Sequence, residues 1–247
     1  MLPARHTEIT RTETIKTFHQ LSGMQKIQFL WDYYKLPLAV TCIALYIAGF
    51  SIYRHLTYQA PVLYTALVNI AAGEELTQYL TTGFLESLDA DPDRNTCQLY
   101  SGLYLTDDET NLYHEYTYAS QMKILAAIDA RQMDLVLMDQ EAFDAFSQNG
   151  YLSDLNEFVS PDPVLYQTLQ PYLIENTAIL EDNSLDLYFD ETAKYHASTE
   201  TYVMGIDLSG CPAVQKAGFS DTVFLGILKN TVHRETVMEF LRYLYER

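Results

Sequence analysis

The feature that most constrains this chain is an uncharged apolar run over residues 36–53, LPLAVTCIALYIAGFSIY. At 1.5 Å per residue, this run forms a helix about 27 Å long, close to the roughly 30 Å hydrocarbon core of a bilayer. Pro37 falls in the first turn, where its missing N–H is tolerated. Aromatic residues flank the run as interfacial belts do: Trp31, Tyr33 and Tyr34 before it, Tyr53 and Tyr58 after it. The run therefore predicts one transmembrane helix.

Three other interpretations fit the run less well. A core helix of a soluble protein would usually show a polar face, and none is present. A cleavable signal peptide would start nearer the N-terminus and end in a small-x-small site, which residues 49–51 match only loosely. A lipoprotein signal needs a small residue before its cysteine, whereas Thr41 precedes Cys42. An uncleaved anchor remains.

Charge divides the chain into two regions. Of its 15 Lys/Arg and 33 Asp/Glu, six and three lie in residues 1–55, which leaves nine and 30 in residues 56–247, a formal charge of −21. By the positive-inside rule, the N-terminus is predicted to be cytoplasmic and the acidic C-terminal part extracellular. So acidic a domain would be repelled by phosphate backbones, which argues against a nucleic-acid partner.

These boundaries give four segments: a cytoplasmic N-terminal segment (1–35), the transmembrane helix (36–53), a linker (54–61) and an outer domain (62–247). Residues 24–34 carry apolar side chains at helical spacing, and Ser22-Gly23 would separate them from a short helix at about 13–20. The amphipathic helix either lies on the inner leaflet or binds a partner.

The outer domain alternates strand and helix patterns. Strands are predicted at about 62–68, 97–105, 134–138, 185–189, 202–206 and 222–228. Helices are predicted at about 74–88, 120–130, 141–148 and 234–245, and residues 160–197 are less regular. This order predicts an α/β fold with a mainly parallel sheet and helices on both faces.

The sequence contains no motif of an enzyme, cofactor site or metal site. Glycine-rich phosphate loops, nucleophile elbows and metal-ligand spacings are absent, so we predict a non-enzyme without cofactor or metal. The acidic turn at 89–95 starts like a calcium loop, but Arg94 and Tyr100 occupy its glycine and glutamate positions. Cys97 and Cys211 either form one disulfide or remain two buried thiols.

Several segments together resemble an extracellular solute-binding protein. Residues 122–155 lead from a helix through a strand to Asp139-Gln140-Glu141 and the turn Asn149-Gly150-Tyr151, and residues 223–244 are similar to the family's late strand and closing helix. Trp31-Asp32-Tyr33-Tyr34-Lys35 resembles the start of membrane-anchored, uncharacterised members from bacteria lacking an outer membrane. The resemblance implies a periplasmic-binding-protein-like domain of type II, here with a reduced second lobe.

The leading functional expectation is a membrane-tethered solute-binding-like protein that captures a small ligand, for an ABC transporter. The alternative is a degenerate binding domain that acts as a structural or assembly partner in a membrane protein complex. The expected partners are thus the lipid bilayer and either a small molecule or a membrane protein. In open α/β sheets ligands bind beyond the carboxyl ends of strands. The residues selected at strand ends as ligand-binding candidates are Asn69, Tyr104, Asp139, Gln140, Tyr202 and Asp207.

The chemistry expected of these residues differs by type. Tyr104 and Tyr202 would stack on a ligand, and Asp139 would accept hydrogen bonds from an ammonium or hydroxyl group. Asp139 is equally well placed to cap the helix that follows it. The two roles are compatible.

Overall fold

The computed structural model describes residues 23–106, 114–184, 189 and 194–245. It divides the chain into two compact units, Met1–Tyr58 and Gln59–Arg247. The predicted short helix at 13–20 and most of the predicted strand at 185–189 lie outside the described residues.

The first unit contains one long helix, α1 (Gly23–Leu56), whose 34 residues span about 51 Å. Residues Lys35–Leu56 of α1 are long and apolar enough to cross a membrane. The sequence predicts an amphipathic helix and a separate spanning helix, but the structure joins them without a break at Pro37. Thr41 donates its hydroxyl to the Pro37 carbonyl at 2.8 Å.

The second unit is an α/β domain built on one mixed sheet of six strands, in the order β2-β1-β3-β6-β5-β4. The strands are β1 (Ala60–Val68), β2 (Asn95–Leu103), β3 (Leu135–Met138), β4 (Leu173–Asp182), β5 (Ala197–Asp207) and β6 (Phe224–Ile227). Its helices are α2 (Glu74–Gln78), α3 (Phe84–Ser87), α4 (His114–Asp129), α5 (Gln140–Gln148), α6 (Leu155–Val159), α7 (Pro163–Leu169), α8 (Pro212–Ala217) and α9 (Arg234–Tyr245).

The prediction of a mainly parallel sheet is wrong for its second half. Strands β1, β2 and β3 are parallel, but β6, β5 and β4 each run antiparallel to the preceding neighbour. A parallel neighbour needs a crossover, usually a helix, that returns along the full length of the preceding strand. Between β5 and β6 the chain forms only a 3₁₀ turn (Leu208–Gly210) and the six-residue α8, so it turns back where β5 ends.

Helices cover both faces of the sheet, as predicted. Leu135 and Leu137 of β3 face a core formed by the helices α2, α3, α6, α7, α8 and α9. Val136 and Met138 face the opposite core, which α4 and α5 cover. Successive side chains of a strand point to opposite faces, which explains why all four are buried.

The helix predicted at 74–88 is interrupted by a π-helical turn, Tyr79–Gly83, between α2 and α3. A Cβ atom at Gly83 would lie 2.8 Å from the Tyr243 hydroxyl oxygen of α9. The rings of Tyr79 and Tyr243 stack with centroids 4.6 Å apart. The irregular turn thus lies where the first and last helical segments of the domain contact each other.

The two outer cysteines are free, which answers the question that the sequence leaves open. Cys97 and Cys211 are both buried and form no disulfide. Burial raises the pKa of the Cys97 thiol to about 11 and raises that of Cys211 as well. Both are therefore protonated, unreactive core residues at neutral pH.

Candidate functional site

Two of the six predicted site residues meet at the carboxyl ends of the parallel strands. Asn69 directly follows β1, and Asp139 directly follows β3, its neighbour in the sheet. The Asn69 side-chain nitrogen donates to the Asp139 carboxylate at 3.1 Å. The strand-end rule therefore identifies a real contact, although the two groups bind each other.

Both polar atoms of the Asn69 amide are engaged. Its nitrogen also donates to the Leu105 carbonyl at 2.7 Å, and its oxygen accepts from the Leu105 N–H at 2.7 Å. Asn69 has a left-handed backbone with φ of 60°, a conformation that asparagine tolerates better than most residues. We call Asn69, Leu105, Asp139 and Ala142 the carboxyl-edge network.

Asp139 completes this network by capping α5. Its extended backbone precedes the helix, and its Oδ1 accepts the Ala142 N–H at 2.9 Å. The adjacent Gln140 is exposed, and its amide nitrogen donates to Asp144 at 2.9 Å. The capping role considered for Asp139 is thus present, and the same oxygen also accepts from Asn69.

Tyr104 and Asp207 lie near this edge without joining the network. The ring centroid of Tyr104 is 6.5 Å from that of Tyr116 in α4. The sheet register aligns Asp207 with Phe224 and Phe224 with Met138, so Asp207 ends β5 at the same edge as Asp139. The Asp207 carboxylate accepts the Ser209 N–H at 2.7 Å and thereby starts the following turn.

Tyr202 lies at the opposite edge, where β3 begins, which we call the amino edge. It shares a pocket with Lys229, which follows the end of β6. Because β6 is antiparallel to β3, the end of β6 lies beside the amino end of β3. The structure therefore separates Tyr202 from the other five candidates.

A small cavity adjoins the carboxyl-edge network between α4 and α5. Its volume is about 200 Å³. Thr106 donates to Glu141 at 2.7 Å across its rim. The lining is mixed, with Leu105, Gln121, Ile124, Leu125, Ala145, Phe146, Asn149 and Tyr151 as its other residues.

At the amino edge, the structure reveals a buried carboxylate that sequence reasoning did not select. Asp134 is fully buried just before β3 and accepts the Tyr64 N–H at 2.9 Å and the Thr231 hydroxyl at 2.5 Å. The His233 Nδ1 lies 2.9 Å from its second oxygen, Oδ2. We call Asp134, Tyr64, Thr231 and His233 the amino-edge cluster. An aspartate before an apolar strand is the only signal in the sequence, and it does not name the partners.

The carboxylates of Asp134 and Asp139 bind groups of the domain itself. Within the ranges that the structure describes, no group of three or more His, Cys, Asp or Glu side chains is placed to hold a metal ion. In the acidic turn, Asp91 accepts the Asp93 N–H at 3.0 Å and lies 3.7 Å from the Arg94 guanidinium. Its carboxylate thus supports the turn itself.

Comparisons with family models, with curated proteins and with solved structures found no match to this chain. The resemblance to solute-binding proteins remains a prediction from the sequence. Functional inference therefore depends on the contacts at the two edges of the sheet.

Proposed function

We propose that the chain is a membrane-tethered assembly partner: a domain related to solute-binding proteins that contacts another membrane protein rather than capturing a solute at its carboxyl edge. The carboxyl-edge network carries this proposal. Its amide and carboxylate groups, which a bound solute would need, already bind each other and the main chain. A ligand could reach the Asn69 amide only by replacing these hydrogen bonds, and Asp139 would offer it only the carboxylate oxygen that neither caps α5 nor accepts from Asn69.

The shape of the domain also favours the assembly role. A captured small molecule usually loses 70–90% of its surface to its binding site. Residues Gln59–Arg247 form one compact unit, and the region after residue 160 adds β4 and β5 to the same sheet. Among the described residues, no second lobe faces the carboxyl edge to enclose a solute.

A surface suited to a partner is provided by the β4–β5 ribbon, Leu173–Asp182 and Ala197–Asp207. β4 is the last strand of the sheet, and its outer edge pairs with no described strand. An open strand edge presents main-chain N–H and C=O groups that an extended segment of another protein can pair with. The ribbon thus offers for strand addition those main-chain groups of the ten-residue β4 that point away from β5.

Charge selects the chemistry of that partner segment. The ribbon carries five acidic residues and no Lys or Arg: Glu175, Glu181, Asp182, Glu200 and Asp207. A second copy would bring like charges together, which opposes self-pairing. The complementary partner is an extended segment rich in Lys or Arg.

The proposed topology puts this surface outside the cell. The excess of Lys and Arg before the apolar part of α1 supports a cytoplasmic N-terminus by the positive-inside rule. The outer domain begins only a few residues after α1 ends at Leu56. The partner is therefore expected to be a membrane protein with a basic segment exposed at the outer surface.

Site-specific photo-crosslinking of the full chain in the membranes of its own cell tests the proposal. A photoreactive residue at Leu180, on the ribbon, is compared with one at Val232; these side chains are 54% and 55% exposed. We expect one discrete membrane-protein adduct from position 180, lost with Glu175→Lys and Glu181→Lys, and none from position 232. Equal labelling at both positions, or an adduct insensitive to charge reversal, would contradict it.

Solute capture for an ABC transporter is the second candidate, and the cavity beside the network favours it. A thermal-shift screen of the full chain with sugars and peptides, repeated with Glu141→Gln, tests this role. Capture requires a stabilising solute whose effect Glu141→Gln reduces. If one were found, the assembly proposal would lose its main support.

A further inference from the structure

The polar pocket that Tyr202 shares with Lys229 at the amino edge of the sheet takes no part in the carboxyl-edge network. It has a volume of about 380 Å³ and lies between the start of α6, the middle of β5 and the segment after β6. Leu152 and Phe158 lie beneath it and are almost fully buried, and the half-buried Tyr202 forms one side. Its size is in the range of sites for small molecules.

Two cations face this pocket. The Arg234 guanidinium lies 4.2 Å from the centre of the Phe158 ring, and its Nη2 donates to the Phe158 carbonyl at 2.6 Å. These contacts fix the guanidinium while its Nε and Nη1 bond to no described residue. Lys229 is fixed through its main-chain N–H, which donates to the Tyr151 carbonyl at 2.9 Å, and its ammonium pairs with no described carboxylate.

Two carboxylates line the same pocket. Glu157 is one of them, and its side chain makes no hydrogen bond or ion pair with any described residue. Asp154 accepts the Asn156 N–H through Oδ1 at 2.9 Å. A hydrogen bond to Glu200, burial, and the charges of Glu200 and Asp154 together raise the pKa of Tyr202, so its phenol stays protonated.

The cations and the carboxylates of this pocket form no ion pair with a described residue, and together they limit which charge a ligand can carry. A simple anion would be attracted by Lys229 and Arg234 but repelled by Glu157, Asp154 and a domain of charge −21. A simple cation would meet the ammonium and the guanidinium. A net-neutral molecule that carries both charges can pair with both sets.

We infer that this pocket binds a zwitterion of the amino-acid class. Its carboxylate lies against Lys229 and the free edge of Arg234, its ammonium against Glu157 and Asp154, and its side chain against Tyr202. This inference does not rest on the assembly role, because the pocket lies at the opposite edge from the carboxyl-edge network. It would make the outer domain a sensor of a small extracellular solute.

Calorimetric titration of the full chain in detergent micelles tests the site with free amino acids of apolar side chain, L-leucine first. We expect saturable binding that weakens at least about tenfold with N-acetyl-leucine or leucinamide, since each lacks one charge. Lys229→Gln and Glu157→Gln should each weaken leucine binding to a similar extent. Lys216→Gln, at an exposed lysine outside the pocket, is the matched control and should bind as the parent does.

Several results would overturn the inference. No saturable heat with any apolar amino acid would exclude the zwitterion site, as would equal binding of N-acetyl-leucine, which indicates a simple anion site. Binding that survives Lys229→Gln and Glu157→Gln would place the ligand elsewhere. Neither variant removes a side-chain hydrogen bond or ion pair to a described residue, so their unfolding temperatures without ligand should match the parent. Crosslinking at Leu180 is a separate measurement, so either proposal can fail alone.

Discussion

The two edges of the sheet use polar side chains in opposite ways. At the carboxyl edge, Asn69 and Asp139 bind each other, the Leu105 main chain and the start of α5. At the amino edge, Asp134 anchors the chain inside the domain, while the side chains of Lys229 and Glu157 line a pocket and form no ion pair with a described residue. The position of polar residues at strand ends therefore does not by itself locate a binding site. A binding site also requires that the polar groups of those residues are not already hydrogen-bonded within the domain.

The largest effect is expected from Asp134→Ala at the amino edge. The change leaves the Tyr64 N–H, the Thr231 hydroxyl and His233 without their acceptor in a buried site. We expect a loss of about 3–5 kcal/mol in the free energy of unfolding. Urea denaturation of the full chain in micelles, followed by near-ultraviolet circular dichroism, measures it. Asp134→Asn keeps one acceptor and should cost less; a loss below about 1 kcal/mol for Asp134→Ala would contradict an anchoring role.

Asn69→Gly should have the next largest effect, at the carboxyl edge. It removes three hydrogen bonds while permitting the φ of 60°. We expect a loss of about 2–3 kcal/mol in the same denaturation experiment. Asn69→Ala should be worse by roughly 1 kcal/mol because alanine is strained in the left-handed region. Unchanged stability in both variants would mean that the hydrogen bonds of the carboxyl-edge network do not stabilise the fold.

Asp139→Ala removes the helix cap and should cost about 1 kcal/mol of unfolding free energy. Asp139→Asn is the matched control, since asparagine caps helices about as well. Hydrogen exchange at the first amides of α5 should rise in Asp139→Ala and stay near the parent level in Asp139→Asn. If Asp139→Ala instead left exchange unchanged and abolished binding of a solute, Asp139 would be a ligand-binding residue and the carboxyl edge would be a binding site.

The smallest effect is expected from Arg242→Met, which frees the far end of α9 from α7. The hydrogen bond from Arg242, helped by the Leu165 N–H, holds the pKa of Asp162 below its ordinary value of 3.8. A carboxylate with a lowered folded pKa stabilises the fold above its unfolded pKa and loses that contribution as pH falls through the folded value. The parent should thus melt slightly higher than Arg242→Met at pH 7 and at the same temperature in strong acid. A difference that persists in acid would show that packing, rather than the ion pair, is responsible.

Regular and buried elements could be predicted from the sequence. The last helix is found at the predicted bounds, and its four predicted apolar residues are buried: Val237, Phe240, Leu241 and Leu244. β3 is a short, fully buried strand, as its continuous apolar run predicts. In both, one local pattern determines type and position, because burial follows the period of the element.

Elements that depend on distant contacts could not be predicted. β4 is only partly buried and follows a proline-punctuated stretch, so its pattern resembles an irregular segment. The π-helical turn reflects the ring of Tyr243, which lies 164 residues from Tyr79. Strand direction in the second half of the sheet likewise depends on how the chain turns after β5.

The sequence could predict which residues meet at the carboxyl edge, but not the contacts that they make there. The strand-end rule brings Asn69 and Asp139 together correctly, since parallel neighbours end at one edge. It cannot show that the Leu105 main chain occupies the Asn69 amide. It also cannot place Tyr202, because β5 begins at Ala197 and Tyr202 lies in its middle rather than at its carboxyl end. Lys229 and Glu157 have no local signal, since their shared pocket exists only after the strands assemble.

The order in which the strands lie has a consequence for when the domain can fold during synthesis. β3, in the middle of the sheet, pairs with β6, so the pairing of Leu135 with Ile227 cannot form until Ile227 has been synthesised. The contact of Tyr79 with Tyr243 likewise needs the last residues of the chain. A polypeptide that crosses the membrane as it is synthesised delivers these residues last, and contacts of such long sequence separation form slowly. In the proposed topology, the outer domain therefore crosses the bilayer as an unfolded chain and folds only after Ile227 and Tyr243 have emerged, by which time α1 already anchors it.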